Sequence, residues 1–262
     1  MRILEIDIET APSVAYVWRM FKENVGIDQM ITPGYTICYA AKWRGEDEVL
    51  FDSLYQSDKR DFLLRLFDLL DEADVVIHYN GKKFDMPTIN KEFIKAGMLP
   101  PSPYKQVDLY WVVRKNFRFE SNKLDYVARQ LGIGAKVSHK GFTLWKDCMA
   151  ALEYNWGEYI PWELDQAWKD MEEYNREDTE LLDRLYDKLL PWIDDHPNHA
   201  LWVESGTERV CPNCGGTHLV SKGYKRTSVL TYRQYHCLGC GKYPRERLAE
   251  KTYRGSKQVL RG

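Results

Sequence analysis

The chain has 262 residues, 44% of them hydrophobic and 29% charged, with a formal net charge of −2. That length supports one substantial core plus a small appendage. Mean hydropathy is −0.53, and no apolar run approaches the ~20 residues of a membrane-spanning helix. The first ten residues are broken by Glu5, Asp7 and Glu9 and lack the basic start and small-residue cleavage site of a secretory signal. The expectation is an intracellular, cytoplasmic protein with no membrane partner.

The predicted elements follow in chain order. Residues 2–9 read as a strand rich in Ile and Leu. Residues 11–33, with Trp18, Phe21 and Asn24, fit no familiar pattern and suit an insertion or a helix over the site. Two strands over 36–43 and 48–53 are joined by Gly45-Glu46-Asp47, which predicts a hairpin. Residues 58–73 carry Phe62, Leu63, Leu66, Leu69 and Leu70 at helical spacing. A short buried strand over 74–79 precedes a helix over 85–95, stopped by Gly97. A strand over 105–108 and a helix over 123–131, ended by Gly132, come next. Residues 133–160 resist assignment. A long helix, in one or two pieces, covers 162–190 and ends at Pro191. Strands alternating with helices point to a mixed α/β sheet covered by helices.

The net charge hides an asymmetry. Residues 196–262 hold 12 Lys and Arg against 4 Asp and Glu, whereas residues 1–195 hold 25 against 35. A basic end on an acidic body points to a polyanionic partner held by that end, with a solvated basic tail that has no partner as the alternative. Four of the six cysteines form two C-x-x-C pairs, Cys211-Pro212-Asn213-Cys214 and Cys237-Leu238-Gly239-Cys240. Two such knuckles supply the four ligands of one structural Zn²⁺, and Gly215 and Gly241 permit the tight turns behind them. A filled shell leaves no position for substrate. His218 and His236 are then redundant as ligands, and Cys38 and Cys148 read as small buried hydrophobes.

Three carboxylate groupings stand out. Asp7 and Glu9 are two apart on a strand and share a face with Glu5, while Ile6 and Ile8 take the other. Asp85 lies where a strand gives way to a helix, and taken alone it reads as an N-cap, which Asp serves well, ahead of a metal ligand. Tyr174 and Asp178 are four apart on a helix and stack on one face. Each is ordinary alone. Together, in this order, they resemble the DEDD exonucleases of the tyrosine-bearing subclass. The residues that carry the resemblance are Asp7-Ile8-Glu9-Thr10, Asn80-Gly81-Lys82-Lys83-Phe84-Asp85 and Tyr174-Asn175-Arg176-Glu177-Asp178. Val107-Asp108-Leu109 and Ser121-Asn122-Lys123-Leu124-Asp125-Tyr126-Val127-Ala128 are similar to the proofreading domain of family B DNA polymerases. The resemblance spans residues 1–192.

It implies an α/β, RNase H-like mixed sheet flanked by helices, and a small C-terminal zinc ribbon of four cysteines follows it. The domains are then an exonuclease domain over 1–195, a linker over 196–208, the ribbon over 209–250 and a basic tail over 251–262. The resemblance further implies two Mg²⁺ or Mn²⁺ ions. Asp7 would bridge them, Glu9 and Asp178 would complete one site, Asp85 would hold the second, and Tyr174 would orient the attacking water. The implied activity is 3′→5′ exonucleolytic hydrolysis, with DNA favoured over RNA and a separate polymerase or replication protein as a further partner. An exoribonuclease or structure-specific nuclease of the same fold stays open, as does a non-catalytic binding module.

Between the knuckles, Lys222, Lys225, Arg226 and Arg233 interleave with Tyr224, Tyr232 and Tyr235, a composition suited to phosphate contact and base stacking. The stretch from Tyr232 to Gly241 resembles the zinc ribbons of transposase-like DNA-binding proteins. A ribbon that packs on the exonuclease domain or binds a protein is the alternative. Lys251, Arg254, Lys257 and Arg261 of the tail would add non-specific affinity.

Overall fold

Apolar and acidic residues alternate along the first strand, β1 (Ile3–Thr10), so its two faces differ in chemistry. A computed structural model describes residues 1–21, 24–136, 140–154, 159–202 and 208–250, and in it both faces of β1 are covered. The basic tail 251–262 and part of the linker lie outside the described residues. The chain divides into a larger unit, Arg2–Tyr186, and a smaller one, Asp187–Gly262.

In the larger unit, β1 leads to a two-stranded pairing of β2 (Val14–Ala15) with β3 (Met30–Thr32), then to β4 (Thr36–Trp43) and β5 (Val49–Ser53). After these come α1 (Lys59–Glu72), β6 (Val75–His78), α2 (Asp85–Lys95) and β7 (Lys105–Asp108). Four helices complete the unit: α3 (Leu109–Asn116), α4 (Leu124–Gln130), α5 (Phe142–Ala151) and α6 (Trp162–Leu189). The main sheet runs β5-β4-β1-β6-β7. β1–β4 and β4–β5 are antiparallel, whereas β1–β6 and β6–β7 are parallel. This is the RNase H-like mixed sheet. Central strands need both faces covered, and here α1 and α2, which flank β6 in the chain, cover one face while α6 covers the other.

One face packs Leu4, Ile6 and Ile8 against Phe62, Leu63, Leu66 and Leu70 of α1 and Ile89 and Phe93 of α2. The side chain of Asp58 caps α1 by accepting from the backbone N–H groups of Arg60 and Asp61. The opposite face carries α6. There Thr179 Oγ1 donates to Ala40 O at 3.3 Å, and Lys42 Nζ reaches Glu180 and Asp183, each at 3.1 Å. Leu144, Cys148 and Ala151 of α5 pack with Trp168 and Met171 of α6 around Cys38. Cys38 and Cys148 are therefore buried core residues.

Four elements differ from the sequence reading or complete it. The helix considered for 11–33 is absent among the described residues. That segment forms β2, β3 and one 3-10 turn, and leaves Trp18 92% exposed. The unassigned stretch 133–160 contains α5. The residues after Asp108 form α3, with the Asp108 carboxylate accepting from Tyr110 N. Helix α6 is continuous over 28 residues, since neither Gly nor Pro interrupts it. No described helix is long and apolar enough to cross a membrane.

The smaller unit contains a hairpin of β8 (Leu219–Arg226) and β9 (Thr231–Cys237). A third extended segment lies along β9: Tyr235 N donates to Pro244 O, and Glu246 N donates to Arg233 O, both at 2.9 Å. Asn213 Nδ2 donates to Leu190 O at 3.1 Å, which ties the first knuckle to the residues before it.

Candidate active site and cysteine cluster

Asp7 and Glu9 project from β1 toward α6, because odd positions of that strand face it. Carboxylate oxygens of Asp7, Glu9 and Asp178 lie within 4.8 Å of one another. Asp178 is buried, and Asp7 and Glu9 are half-buried. Burial, together with the charges of Asp178, Glu9 and Asp85, pushes the Asp7 carboxyl well above the ordinary carboxylate range. Burial likewise pushes Glu9 up to about 8, although Lys136 opposes the shift. Glu5 continues the row but is fully buried near Arg44, outside this cluster.

Asp85 opens α2 as its first helical residue, so it is not the N-cap, a position held by Phe84. Its Oδ1 accepts from the backbone N–H of Ile8 at 3.3 Å, which fixes it beside the strand between Asp7 and Glu9. Burial pushes its carboxyl up to about 6. Tyr174 sits one helical turn before Asp178. Burial and the Asp178 charge raise its phenol further above 10.

Sequence reading missed several members of the site. Lys136 Nζ donates to Tyr174 OH at 3.0 Å and also binds Asp178 Oδ2. It lies 5.0 Å from the centre of the Tyr174 ring. Lys136 is held there by its backbone N–H, which donates to Asp125 Oδ1 at 2.9 Å. Asn175 Nδ2 donates to Asp7 Oδ2 at 2.8 Å, and Trp145 gives Glu9 a side-chain hydrogen bond. Asn175 was legible, being three residues before Asp178 on the same helix. Lys136 and Trp145 lie in a stretch with no periodic signal.

Three half-buried or buried carboxylates at this spacing repel one another, and a hard divalent cation relieves that repulsion. The donor set is all oxygen and fits such an ion. A family model described as RNase H superfamily matches residues 23–190, well over half of the chain. The chain belongs to the RNase H superfamily. That membership supports nuclease chemistry, nucleic-acid binding and the use of divalent metals in general. Among solved structures, this superfamily member is similar to the family B DNA polymerase from the hyperthermophilic archaeon Pyrobaculum calidifontis. Identity is 19% and the TM-score 0.49, over 72% of this chain and 24% of that one. The chain thus spans about a quarter of that polymerase's length. No curated protein matches the sequence.

The loop that delivers Asp85 in this RNase H fold is held by Asp108. Its carboxylate accepts from Asn80 N at 2.8 Å and Lys82 N at 3.3 Å. Asn80 adopts a left-handed φ of 66° at the turn. Next to it, a Cβ on Gly81 would lie 2.4 Å from Cγ of the His78 ring. That ring is fully buried and bound to Gln106 Oε1 at 3.1 Å, so it cannot yield. Gly81→Ala is therefore expected to cost about 1–3 kcal/mol of stability, the usual range for overpacking. Urea unfolding measures it; an unchanged midpoint would contradict this packing argument.

The four knuckle cysteines also converge. Their sulfurs all lie within 4.8 Å of one another, with Cys211–Cys240 and Cys214–Cys237 each at 3.6 Å. A tetrahedron with metal–sulfur bonds of ~2.3 Å has edges of about 3.8 Å. Gly215 and Gly241 take the left-handed φ values of 71° and 76° that such knuckles require. His236 stacks on Tyr243 at 4.5 Å, and the four cysteine sulfurs by themselves supply a full set of four ligands, so neither His218 nor His236 is needed as one.

The basic residues predicted on the hairpin divide between its faces. Tyr224 pairs with Arg233 and Arg226 with Thr231 on one face, and Lys225 pairs with Tyr232 on the other. Lys222 falls at the bulge between Ser221 and Tyr224. Arg233 is joined to Glu250 at 3.1 Å.

Proposed function

We propose that this chain is a metal-dependent 3′→5′ exonuclease that hydrolyses phosphodiester bonds of DNA, in single strands or at free 3′ ends. The observation that carries the reading is the meeting of Asp7 and Glu9 of β1 with Asp178 of α6, with Asp85 hydrogen-bonded to the backbone between the first two. Two Mg²⁺ or Mn²⁺ ions suit these carboxylates. Asp7, the central member, would be shared, Glu9 and Asp178 would complete one site, and Asp85 would contribute to the other. When bound, such ions activate water at neutral pH and neutralise charge developing on the phosphate. The 3′→5′ direction and the preference for DNA rest on the motif resemblance to proofreading domains. The exonuclease domain would span 1–195, with a linker over 196–208, a Zn²⁺-held ribbon over 209–250 that grips nucleic acid, and a basic tail over 251–262. A separate polymerase or replication protein is a fitting source of 3′ ends.

The chain's own side chains have distinct tasks in this scheme. Tyr174, held protonated, orients the attacking water by hydrogen bonding and does not act as a base. Lys136 fixes the Tyr174 hydroxyl and offsets part of the carboxylate charge. Asn175 orients Asp7. Because a charge-assisted hydrogen bond is worth ~1.5–3 kcal/mol, Lys136→Met is expected to lower kcat by roughly 10–100-fold. Single-turnover kinetics with saturating Mg²⁺ read this directly; a kcat within twofold of wild type would remove Lys136 from the scheme.

The test of the whole reading is a panel of DNA and RNA strands of one sequence, 5′-labelled, with Mg²⁺, Mn²⁺ or neither. A ladder that shortens from the 3′ end of DNA, only with metal, is the expected result. Faster degradation of RNA would convert the assignment to an exoribonuclease. Binding without cleavage of either would convert it to a non-catalytic module.

A further inference from the structure

The two faces of the C-terminal ribbon carry opposite electrostatic designs. On one face two arginines are paired, Arg209 with Glu246 at 3.1 Å and Arg233 with Glu250 at 3.1 Å, and Tyr235 OH donates to Glu246, while Arg226 on the same side has no ion pair among the described residues. The other face follows from the strand register. Lys225 opposes Tyr232, and Gln234 opposes Arg245 of the third segment. Residues directly opposed in an antiparallel pair project from the same side, and alternate residues of β9 share it. Tyr232, Gln234 and His236 therefore lie together with Lys225 and Arg245. Tyr243 joins them, its ring stacked on His236 at 4.5 Å.

This second face brings Lys225 and Arg245 together with the rings of Tyr232, His236 and Tyr243, and neither cation has a carboxylate partner among the described residues. Arg245 sits over Tyr232, its guanidinium carbon 3.7 Å from the ring centroid. A stacked guanidinium is pre-oriented, with its N–H edge free to grip an anion. Apart from a 3.4 Å contact with its neighbour's carbonyl, that edge has no protein acceptor among the described residues. Lys225 is exposed and has no ion pair among the described residues. Tyr243 is 53% exposed, a large ring surface for a small unit to leave in water.

We infer that the Lys225–Arg245–Tyr243 face of the ribbon is a binding track for a single-stranded polynucleotide, and that the Arg226–Arg233 face is not. Phosphates would meet Lys225 and Arg245, and bases would stack on Tyr243, the pairing of charge and ring that strand-tracking surfaces use. The inference rests on the proposed nucleic-acid role of the ribbon and selects one of its two sides. It brings in Arg245 and Tyr243, and removes Arg226 and Arg233 from the contact set.

The test uses the zinc-loaded full chain in an Asp178→Asn background, with labelled oligothymidylate and oligouridylate followed by fluorescence anisotropy over a salt series. Lys225→Ala with Arg245→Ala is expected to weaken binding at least tenfold. It should also flatten the slope of log affinity against log salt by about 1.4, for two lost phosphate contacts. Tyr243→Ala is expected to weaken binding several-fold with the slope unchanged, since stacking releases no counterions. Arg226→Ala with Arg233→Ala should change affinity less than twofold. Zinc content shows that each ribbon is intact, and Arg245→Lys, which keeps charge but not the planar fork, should fall between wild type and the double variant. Loss confined to the Arg226–Arg233 variant, or equal loss in both doubles, would overturn the face assignment and leave the ribbon's role standing. Wild-type affinity in every ribbon variant would remove that role and the inference with it.

Discussion

Replacing Asp178 with Asn is expected to lower the rate of DNA hydrolysis by about 10³-fold or more while the protein stays folded. The size follows from the site. Asp178 is the α6 member of a carboxylate triad whose oxygens lie within 4.8 Å of one another. Divalent-metal stabilisation of a phosphoryl transition state is worth several kcal/mol, and each ~1.4 kcal/mol is tenfold in rate. Folding should survive because two effects oppose. The substitution removes a charge that raises the Asp7 carboxyl, and it weakens the contact with Lys136. The net change in metal-free stability is expected to stay within about 1 kcal/mol, the scale on which such a gain and loss offset each other. Thermal melts with and without Mg²⁺ separate the two roles. The wild type should gain stability on adding Mg²⁺, as any ligand of the native state provides, and Asp178→Asn should gain much less. Undiminished hydrolysis would remove Asp178 from the machinery.

The second large effect concerns the cysteine cluster. Cys214→Ser is expected to unfold the ribbon locally. β8 is exposed along nearly its whole length, and buried side chains between 209 and 250 are few: Cys211, Asn213, Tyr232, Tyr235 and Cys237. A unit of that size lacks the core to hold itself. Structural Zn²⁺ contributes on the order of 10–16 kcal/mol in comparable peptides, far more than the hairpin's packing. Limited trypsin digestion reads the outcome at Lys222, Lys225, Arg226 and Arg233. Rapid cleavage in the variant and protection in the zinc-loaded wild type is the expected contrast. Equal protection in both would mean that the hairpin folds without metal.

Much of this architecture was legible because its signals are local. Asp58 before an apolar helical stripe marks α1, and the Val75-Val76-Ile77 run marks a strand covered on both faces. The alternation around Asp7 and Glu9 predicted that the two share a face, and the i, i+4 spacing of Tyr174 and Asp178 did the same on α6. Helix α5 was hidden because its buried positions are Leu144, Cys148 and Ala151. Two of these are too small to mark a hydrophobic stripe. Helix α3 buries only Leu109 and Val113 and leans on Asp108 as its cap. Lys136 was invisible for another reason. Its place beside Asp178 is set by a backbone bond to Asp125 and by the path of an irregular loop, and neither leaves a periodic trace in sequence. The two faces of the ribbon were unreadable for the same reason. Gly223 sits in the bulge between Ser221 and Tyr224, and such a bulge reverses which β8 residues share a side with β9.

The most direct test of the central claim compares linear and circular single-stranded DNA of one sequence, incubated with the protein and Mg²⁺ or Mn²⁺. The account predicts that the linear strand is shortened one nucleotide at a time from its 3′ end while the circle, which has no end, stays intact. Cutting of the circle, or digestion of the linear strand from its 5′ end, would contradict it.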